Sequence, residues 1–542
     1  MQPSTAEQAQ YNKMTQTPIP KLIVTLAVPT VISMMTTAIY NMADTAFVSQ
    51  LGTSAAGAVG IVFSLMAIIQ AIGFMLGMGA GSLISRLLGQ QKNDEANRTG
   101  STAFFTALAF GLLLSVFGLL FLNPLMGALG ATPTILPYAR DYAQYILFGA
   151  PVMCASFVLN NLLRSQGKAF LAMFGIATGG ILNIGLDPLF IFVFGLGIGG
   201  AAIATLLSQC VSFCILLSFF LRGKSVVRLS IRQVSRQWQT YWLIVKTGLP
   251  SFCRQGLASI ATVALNVSAA AYGDPAVAAM SIVGRIFMLV LSAMLGFGQG
   301  YQPVVGFNYG AKKYSRVRHA FRFSLTVGLV LLTVLGTVGF LFAPQIMALF
   351  RRDDAEVIAI GALACRAQCV ALIFQPLIVI CNMTFQVLGR SWQATFISSC
   401  RQGIFFLPAG HLLPAAHSHS ARLLWPDRGA AYPASGRFAD LCLLLPAAAR
   451  LFPRPEAAGT SRLRRRSASG RPPCVIRRLK HILSCHCGRI LPLCQILSQS
   501  SPAVSENDKT GTVAASFSTI YGSALSGFSL LSFHLPHQAV RC

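Results

Sequence analysis

Acidic side chains and histidine are what this sequence has least of. Fifteen Asp and Glu stand against 42 Lys and Arg in 542 residues, and charged residues of both signs reach only 11%. Soluble globular proteins carry about 25% charge. With 54% hydrophobic residues and a mean hydropathy of +0.63, the chain is expected to be an all-α polytopic membrane protein. Of eight His, only His319 precedes Arg401, so no nucleophile–His–acid set is visible there. A P-loop is also missing. An enzyme or an ATP-driven pump is therefore not expected, and no cofactor is implied. Residues 1–20 are polar and the first apolar run is too long for a signal h-region, so a cleavable signal peptide is not expected either. The fourteen Cys are scattered singly through apolar runs, as small core residues rather than a disulfide frame.

Long apolar runs are what the chain does have. They fall near 22–49, 56–84, 101–122, 138–162, 169–196 and 199–221, then near 241–271, 276–300, 322–343 and 356–386, with an incomplete one from about 392. Lys and Arg cluster on alternate sides of these runs: Lys13 and Lys21, Arg86 to Arg98, Arg164 and Lys168, Arg222 to Arg236, Lys312 to Arg322, and Arg390. The short loops around Gly52, Gly197 and Gly273 carry none, and only the pair Arg351-Arg352, accompanied by Asp353-Asp354, departs from the pattern. By the positive-inside rule the N-terminus is expected in the cytoplasm.

The two halves repeat each other. Pro29 matches Pro250 and the Gly52 loop matches Gly273, both 221 residues apart (250 − 29 and 273 − 52). Gly77-Met-Gly79-Ala-Gly81 matches Gly296-Phe-Gly298-Gln-Gly300, and Gln166-Gly167-Lys168 is echoed by Leu388-Gly389-Arg390. Small residues so placed in apolar spans are expected to pack helices closely rather than to bind phosphate. A parallel repeat of six helices implies a pseudo-twofold along the membrane normal, with a substrate path between two pseudo-symmetric six-helix lobes. The expected divisions are a cytoplasmic N-terminal segment (1–20), a first lobe (21–222), a cytoplasmic inter-lobe loop (223–240) and an incomplete second lobe (241–408).

Beyond Pro408 the pattern stops. From Arg401 on lie seventeen of the 42 Lys and Arg, five of the 15 acids and seven of the eight His, with no 20-residue apolar run. Residues 409–542 read as an aberrant, basic, disordered tail from a shifted reading frame. A cytoplasmic basic tail for nucleic acid or anionic lipid is the alternative. Cys485-His486-Cys487 lacks a second ligand pair at zinc spacing, so no resident metal is expected.

Ten acidic side chains precede Arg401, and only Asp44 and Asp187 lie well inside apolar spans. A carboxylate at such depth is expensive and ordinarily faces a polar cavity, where it binds a cation or a proton. Asn183 precedes Asp187 by four residues and Asn41 precedes Asp44 by three, so each amide shares its carboxylate's helical face. Pro188 frees the carbonyl of Ile184. At about 1.5 Å per residue, both carboxylates fall roughly 10–14 Å below the outer surface, a depth that Thr205 also reaches. Asn41, Asp44, Asn183, Asp187 and Thr205 are thus the candidate lining of one pocket. It could relay protons through paired carboxylates or hold Na⁺ at Asp44, Asn183 and Asp187. The second half has intramembrane arginines instead: Arg254, Arg285 and Arg366. Arg285 lies near the level of Asp44 and could pair with Asp44 or Asp187 across the cleft in one conformation, or bond carbonyls within its own lobe.

Tyr40-Asn-Met-Ala-Asp44-Thr45-Ala-Phe-Val, Asn183-Ile-Gly-Leu-Asp187-Pro188 and Gly300-Tyr-Gln302-Pro303-Val-Val-Gly306-Phe-Asn308-Tyr309-Gly310 resemble motifs of the multidrug and toxic compound extrusion (MATE) family, on its DinF/MepA-like branch. The resemblance covers about residues 15–408. It implies twelve helices in two lobes around a cleft that opens alternately. It also implies H⁺- or Na⁺-coupled export of organic cations and other amphipathic compounds across a bacterial inner membrane. It places the cation site at Asp44, Asn183, Asp187 and Thr205, and Arg285 looks like an arginine of that branch's eighth helix; Arg285, Arg254 and Gln302 are the candidates for inter-lobe or substrate contact. The partners expected are small amphipathic substrates, H⁺ or Na⁺ and the lipid bilayer, without nucleic acid, and the chain is expected to be a monomer. The sequence departs from the family in the missing eleventh and twelfth helices. Two other readings follow: a flippase for a lipid-linked precursor or polysaccharide, or an inactive truncated product.

Overall fold

A computed structural model of the chain describes residues 5–270, 274–350 and 354–399. Among the described residues every regular element is a helix. The first half contains α1 (Thr5–Gln16), α2 (Ile19–Ser49), α3 (Thr53–Gly89), α4 (Asn93–Leu120), α5 (Leu122–Ala128), α6 (Leu136–Ser165), α7 (Ala169–Pro188) and α8 (Gly197–Leu221). The second contains α9 (Trp238–Ala270), α10 (Asp274–Gly310), α11 (Tyr314–Leu341), α12 (Ala343–Phe350), α13 (Ala355–Leu372), α14 (Gln375–Val387) and α15 (Ser391–Ser399). Nine helices among the described residues are long and apolar enough to cross a membrane. Leu112, Leu120, Phe148, Phe170, Ile181 and Val330 are each more than half exposed on these helices. Water would penalise such a surface and lipid tails would not. The expected tail of residues 409–542, the Gly273 loop and the exceptional pair Arg351-Arg352 lie outside the described residues.

The repeat survives at the level of single hydrogen bonds. Asn160 Nδ2 donates to the carbonyl of Ala172 at 2.9 Å, and Asn382 Nδ2 donates to that of Ala394 at 2.8 Å, each partner shifted by 222 (382 − 160 and 394 − 172). Gly167 at φ +79° turns α6 into α7 as Gly389 at φ +80° turns α14 into α15, a left-handed conformation that glycine adopts without strain. Pro29 and Pro250 both sit inside their helices, α2 and α9. The first lobe thus has six spanning helices (α2, α3, α4, α6, α7, α8). Among the described residues the second has the counterparts of four, then nine residues of a fifth in α15, so it is incomplete there. One counterpart is broken: the apolar run 356–386 is two helices rather than one, because Pro376 stands at the start of α14 and cannot donate a backbone hydrogen bond into α13.

The lobes meet through α3 against α9 and α2 against α10. Gly79, Gly296 and Gly300 of the two triplets, with Gly248, make this seam. A Cβ on Gly79 would collide with the Ile244 carbonyl of α9, and one on Gly248 with the Met75 carbonyl of α3; Gly296 and Gly300 of α10 lie as tightly on Val31 and Ala27 of α2. Without side chains, backbones approach closely enough for dispersion contacts that lipid cannot supply. α1 closes the same end: Gln10 Nε2 donates to the Gln166 carbonyl at 2.6 Å, and the Met14 carbonyl accepts from Asn308 Nδ2 at 3.1 Å. In the opposite halves of α3 and α10, Gly60 and Gly284 meet nothing within 4 Å. The lobes are joined at the end that carries α1 and the basic loops.

Candidate functional site

Four of the five polar residues expected in the first lobe come together, and a tyrosine joins them. Asn183 and Asp187 face the same side of α7, four residues apart, and Asn183 Nδ2 donates to Asp187 Oδ1 at 3.0 Å. The same amide donates to Thr205 Oγ1 on α8 at 3.3 Å. All three side chains are buried, Asp187 at 0% exposure. After Pro188 the chain widens into one π-helical turn, Leu189–Val193, a common device where a helix is interrupted beside a functional site. From α6, fully buried Tyr142 donates its hydroxyl to Asp44 Oδ2 on α2 at 3.3 Å. That hydroxyl also neighbours Thr205, so it ties the Asp44 side of the cluster to the α7–α8 side.

Neither carboxylate has a cationic partner. The one ion pair among the described residues is Lys92–Glu95 at 2.8 Å, on the surface. Three acceptor oxygens of the cluster, Asp44 Oδ1, Asn183 Oδ1 and Asp187 Oδ2, are buried and receive no hydrogen bond. Ionised carboxylates left so would be strongly unfavourable in a low dielectric. The set is therefore built to be completed by positive charge. A proton shared within the cluster or a hard monovalent cation held by these oxygens would both fit the donor set. Among the described residues no group of three His, Cys, Asp or Glu could hold a metal ion, and the hard-oxygen cluster here owes half of its donors to amide and hydroxyl.

The other expected residues fall elsewhere. Asn41 is half-buried on α2 and its side chain does not hydrogen-bond the cluster; its carbonyl accepts from Thr45 Oγ1 at 2.9 Å. Arg285 is exposed and pairs with neither Asp44 nor Asp187, so the cross-cleft pairing that its depth allowed is not formed with the lobes in this arrangement. Arg254 does cross the seam, donating from Nη2 to Met78 Sδ on α3 at 3.4 Å. Gln302 is buried and donates to Gln386 Oε1 at 3.3 Å inside the second lobe. Arg366 lies 5.8 Å from the Phe340 ring centre within its own lobe. Tyr142 was the residue that motif reading missed. It stands six residues into α6 from Leu136, about 9 Å, so a depth argument of the kind applied to Thr205 would have found it.

The MatE family model matches this chain twice, over residues 29–189 and 250–410. The chain belongs to the MatE family. Each match starts at the proline inside its lobe's first long helix, Pro29 in α2 and Pro250 in α9, and the first ends after α7, short of α8. The multidrug export protein MepA of Staphylococcus saprophyticus is 25% identical to this MatE protein over 383 residues, covering 70% of this chain and 84% of the relative. MepA of Staphylococcus aureus is 25% identical over 402 residues, 74% of this chain and 88% of the relative. Among solved structures, a MATE transporter in complex with MaL6 is similar at a TM-score of 0.75 and 26% identity, covering 81% of this chain and 98% of that one. An outward-facing MATE family multidrug resistance transporter of the MOP superfamily matches at 0.74 and 26%, covering 83% and 99%. A MOP superfamily transporter from Pyrococcus furiosus, whose binding pocket is described as having reversed polarity, matches equally at 0.74 and 26%. This MatE chain is thus a multi-pass membrane transporter of the multidrug efflux family.

Proposed function

We propose that this MatE protein is a cation-coupled antiporter of a bacterial inner membrane, exporting organic cations and other amphipathic compounds by alternating access. Asp44 and Asp187 are the coupling groups, and Asn183, Thr205 and Tyr142 position them. What carries the reading is one observation: two carboxylates in an apolar lobe, three of the cluster's oxygens unpartnered, and no basic side chain in reach. Taking up H⁺ or Na⁺ neutralises the cluster and removes the penalty for burying it, and that difference between loaded and empty states is what can bias a two-state equilibrium between lobe arrangements. With the basic loops in the cytoplasm, the seam closes the cytoplasmic side and the cluster lies in the outer half, where an external cation is loaded. Domain divisions at residues 21–222 and 241–408 fit the same scheme.

The test is reconstitution of the full chain in proteoliposomes. An imposed inward H⁺ or Na⁺ gradient is expected to drive ethidium out of the loaded compartment, and Asp187→Asn to abolish it while the protein remains inserted. Normal transport by Asp187→Asn would overturn the assignment of the coupling group. A second reading, flipping of an anionic lipid-linked precursor, rests on exposed, unpaired Arg285. It requires lipid-dye translocation that ignores both gradients and fails in Arg285→Ala.

A further inference from the structure

At the other end of the molecule, a second buried polar site has the opposite character. Arg164, near the C-terminus of α6, is 4% exposed. Its Nη1 donates to Gln299 Oε1 of α10, in the opposite lobe. Its Nε and Nη2 are buried and have no hydrogen-bond acceptor. These two atoms form the side-on edge of the guanidinium, the edge that receives an anion in two parallel bonds. The hydroxyl of Ser82 on α3 is likewise buried and unpartnered. Arg164 and Ser82 line one cavity, with Ser85, Asn161, Gln299 and Gln302 around them. About 20 Å³ of it is open to the centre of a water-sized sphere, which leaves room for a water or a halide. No acidic residue lines it.

We propose that this cavity is a halide site, occupied by chloride, that exists only while the two lobes meet at the basic end. Arginine stays protonated in proteins, so its buried charge needs a counter-charge here and receives none from the protein. Water would satisfy the donors but leave the charge uncompensated; a monatomic anion does both and fits the space. Ser82 and Arg164 come from the first lobe and Gln299 and Gln302 from the second. Separation of the lobes at this end removes a third of the wall and the Gln299 contact that orients the guanidinium. Chloride therefore stabilises the arrangement seen here, by mass action on the state that binds it. The inference does not depend on which cation couples transport, because the two sites share no residue.

The experiment is thermal unfolding of the full chain in detergent, at fixed Na⁺ and ionic strength, with gluconate progressively replaced by chloride or bromide. The wild type is expected to gain a few degrees in Tm, saturably, with either halide and not with sulfate. Arg164→Gln is expected to lose the response, and Ser82→Ala to need several-fold more chloride for half of the shift. Equal Tm in chloride and gluconate for the wild type overturns the proposal, as does an undiminished shift in Arg164→Gln. If Arg164→Gln does not fold, Ser82→Ala decides: unchanged chloride dependence there rejects the site. Inactivity in the transport test leaves this result untouched, since the readout is halide-dependent stability rather than flux.

Discussion

The two lobes share a chassis and differ in what they bury. Asn160 and Asn382 clamp the same helix hairpin by the same bond to within 0.1 Å, at 2.9 and 2.8 Å. Gln91 and Lys312, 221 residues apart (312 − 91), hold the same positive φ, 60° and 58°. By the same offsets Asp44 corresponds to Leu265 and Tyr142 to Ala364. Among the described residues, backbone devices that set helix geometry recur in both copies, while Asp44 and Tyr142 have apolar counterparts. Groups that make packing possible are needed wherever the packing recurs. A buried carboxylate is costly at every occurrence and is retained only where it acts. At these positions the duplication separates polar residues that recur and serve packing from Asp44 and Tyr142, which do not recur and to which the proposed coupling is assigned.

The largest expected effect breaks that asymmetry directly. Asp44→Leu, which gives the first lobe the second lobe's residue, and Asp187→Asn should each reduce gradient-driven efflux to background with little loss of protein in the membrane. Proteoliposome flux and inserted yield measure the two separately. Gly248→Val comes next, because a Cβ there meets the Met75 backbone across the seam. Overpacking of this kind costs about 1–3 kcal/mol, and cysteine cross-linking between α3 and α9 should drop accordingly, whereas Gly256→Ala, with nothing within 4 Å, should leave cross-linking unchanged.

Asn160→Ala and Asn382→Ala sharpen the other side of the comparison. Each removes a buried hydrogen bond to a helix carbonyl, worth about 1 kcal/mol, and Asn382→Ala also loses the bond to Ser398 Oγ at 2.7 Å, so both should lower Tm, Asn382→Ala the more. Neither should alter the gradient dependence of efflux in the protein that remains folded; an Asn160 effect on coupling would break the division between chassis and site. Tyr142→Phe removes one hydrogen bond to Asp44, worth about 1 kcal/mol, and should slow coupled efflux by roughly fivefold without changing inserted yield. The smallest effect belongs to Lys92→Ala: its ion pair with Glu95 is half-exposed on both sides and should matter by less than about 1 kcal/mol in Tm.

Much of the architecture was legible in the residues because a bilayer leaves few options. Apolar runs must be helices to satisfy their own backbones, so the order of spans, the repeat at 221 and the glycine seam all follow from spacing. Asp44, Asn183, Asp187 and Thr205 were legible for the same reason: polar groups at one depth in apolar runs are conspicuous. Tyr142 was less so, since tyrosine near a helix end is equally at home at a membrane interface. The break between α13 and α14 was hidden because Pro151 in the equivalent helix is accommodated within continuous α6; a proline's consequence depends on what packs against the freed carbonyl.

What the sequence determined by itself was therefore local and periodic: which stretches are helices, which face of each is polar, and that the helices come in two copies. Tertiary structure decided which polar faces meet. It brought Tyr142 from α6 onto Asp44, left Asn41 outside the cluster and Arg285 unpaired, and set Arg164 against Gln299 across the seam. These outcomes rest on helix rotation and on contacts between residues 98 and 135 positions apart. Hydrophobic periodicity constrains such contacts weakly when a helix is apolar on nearly every side. In a membrane protein the solvent chooses the elements, and only packing chooses the site.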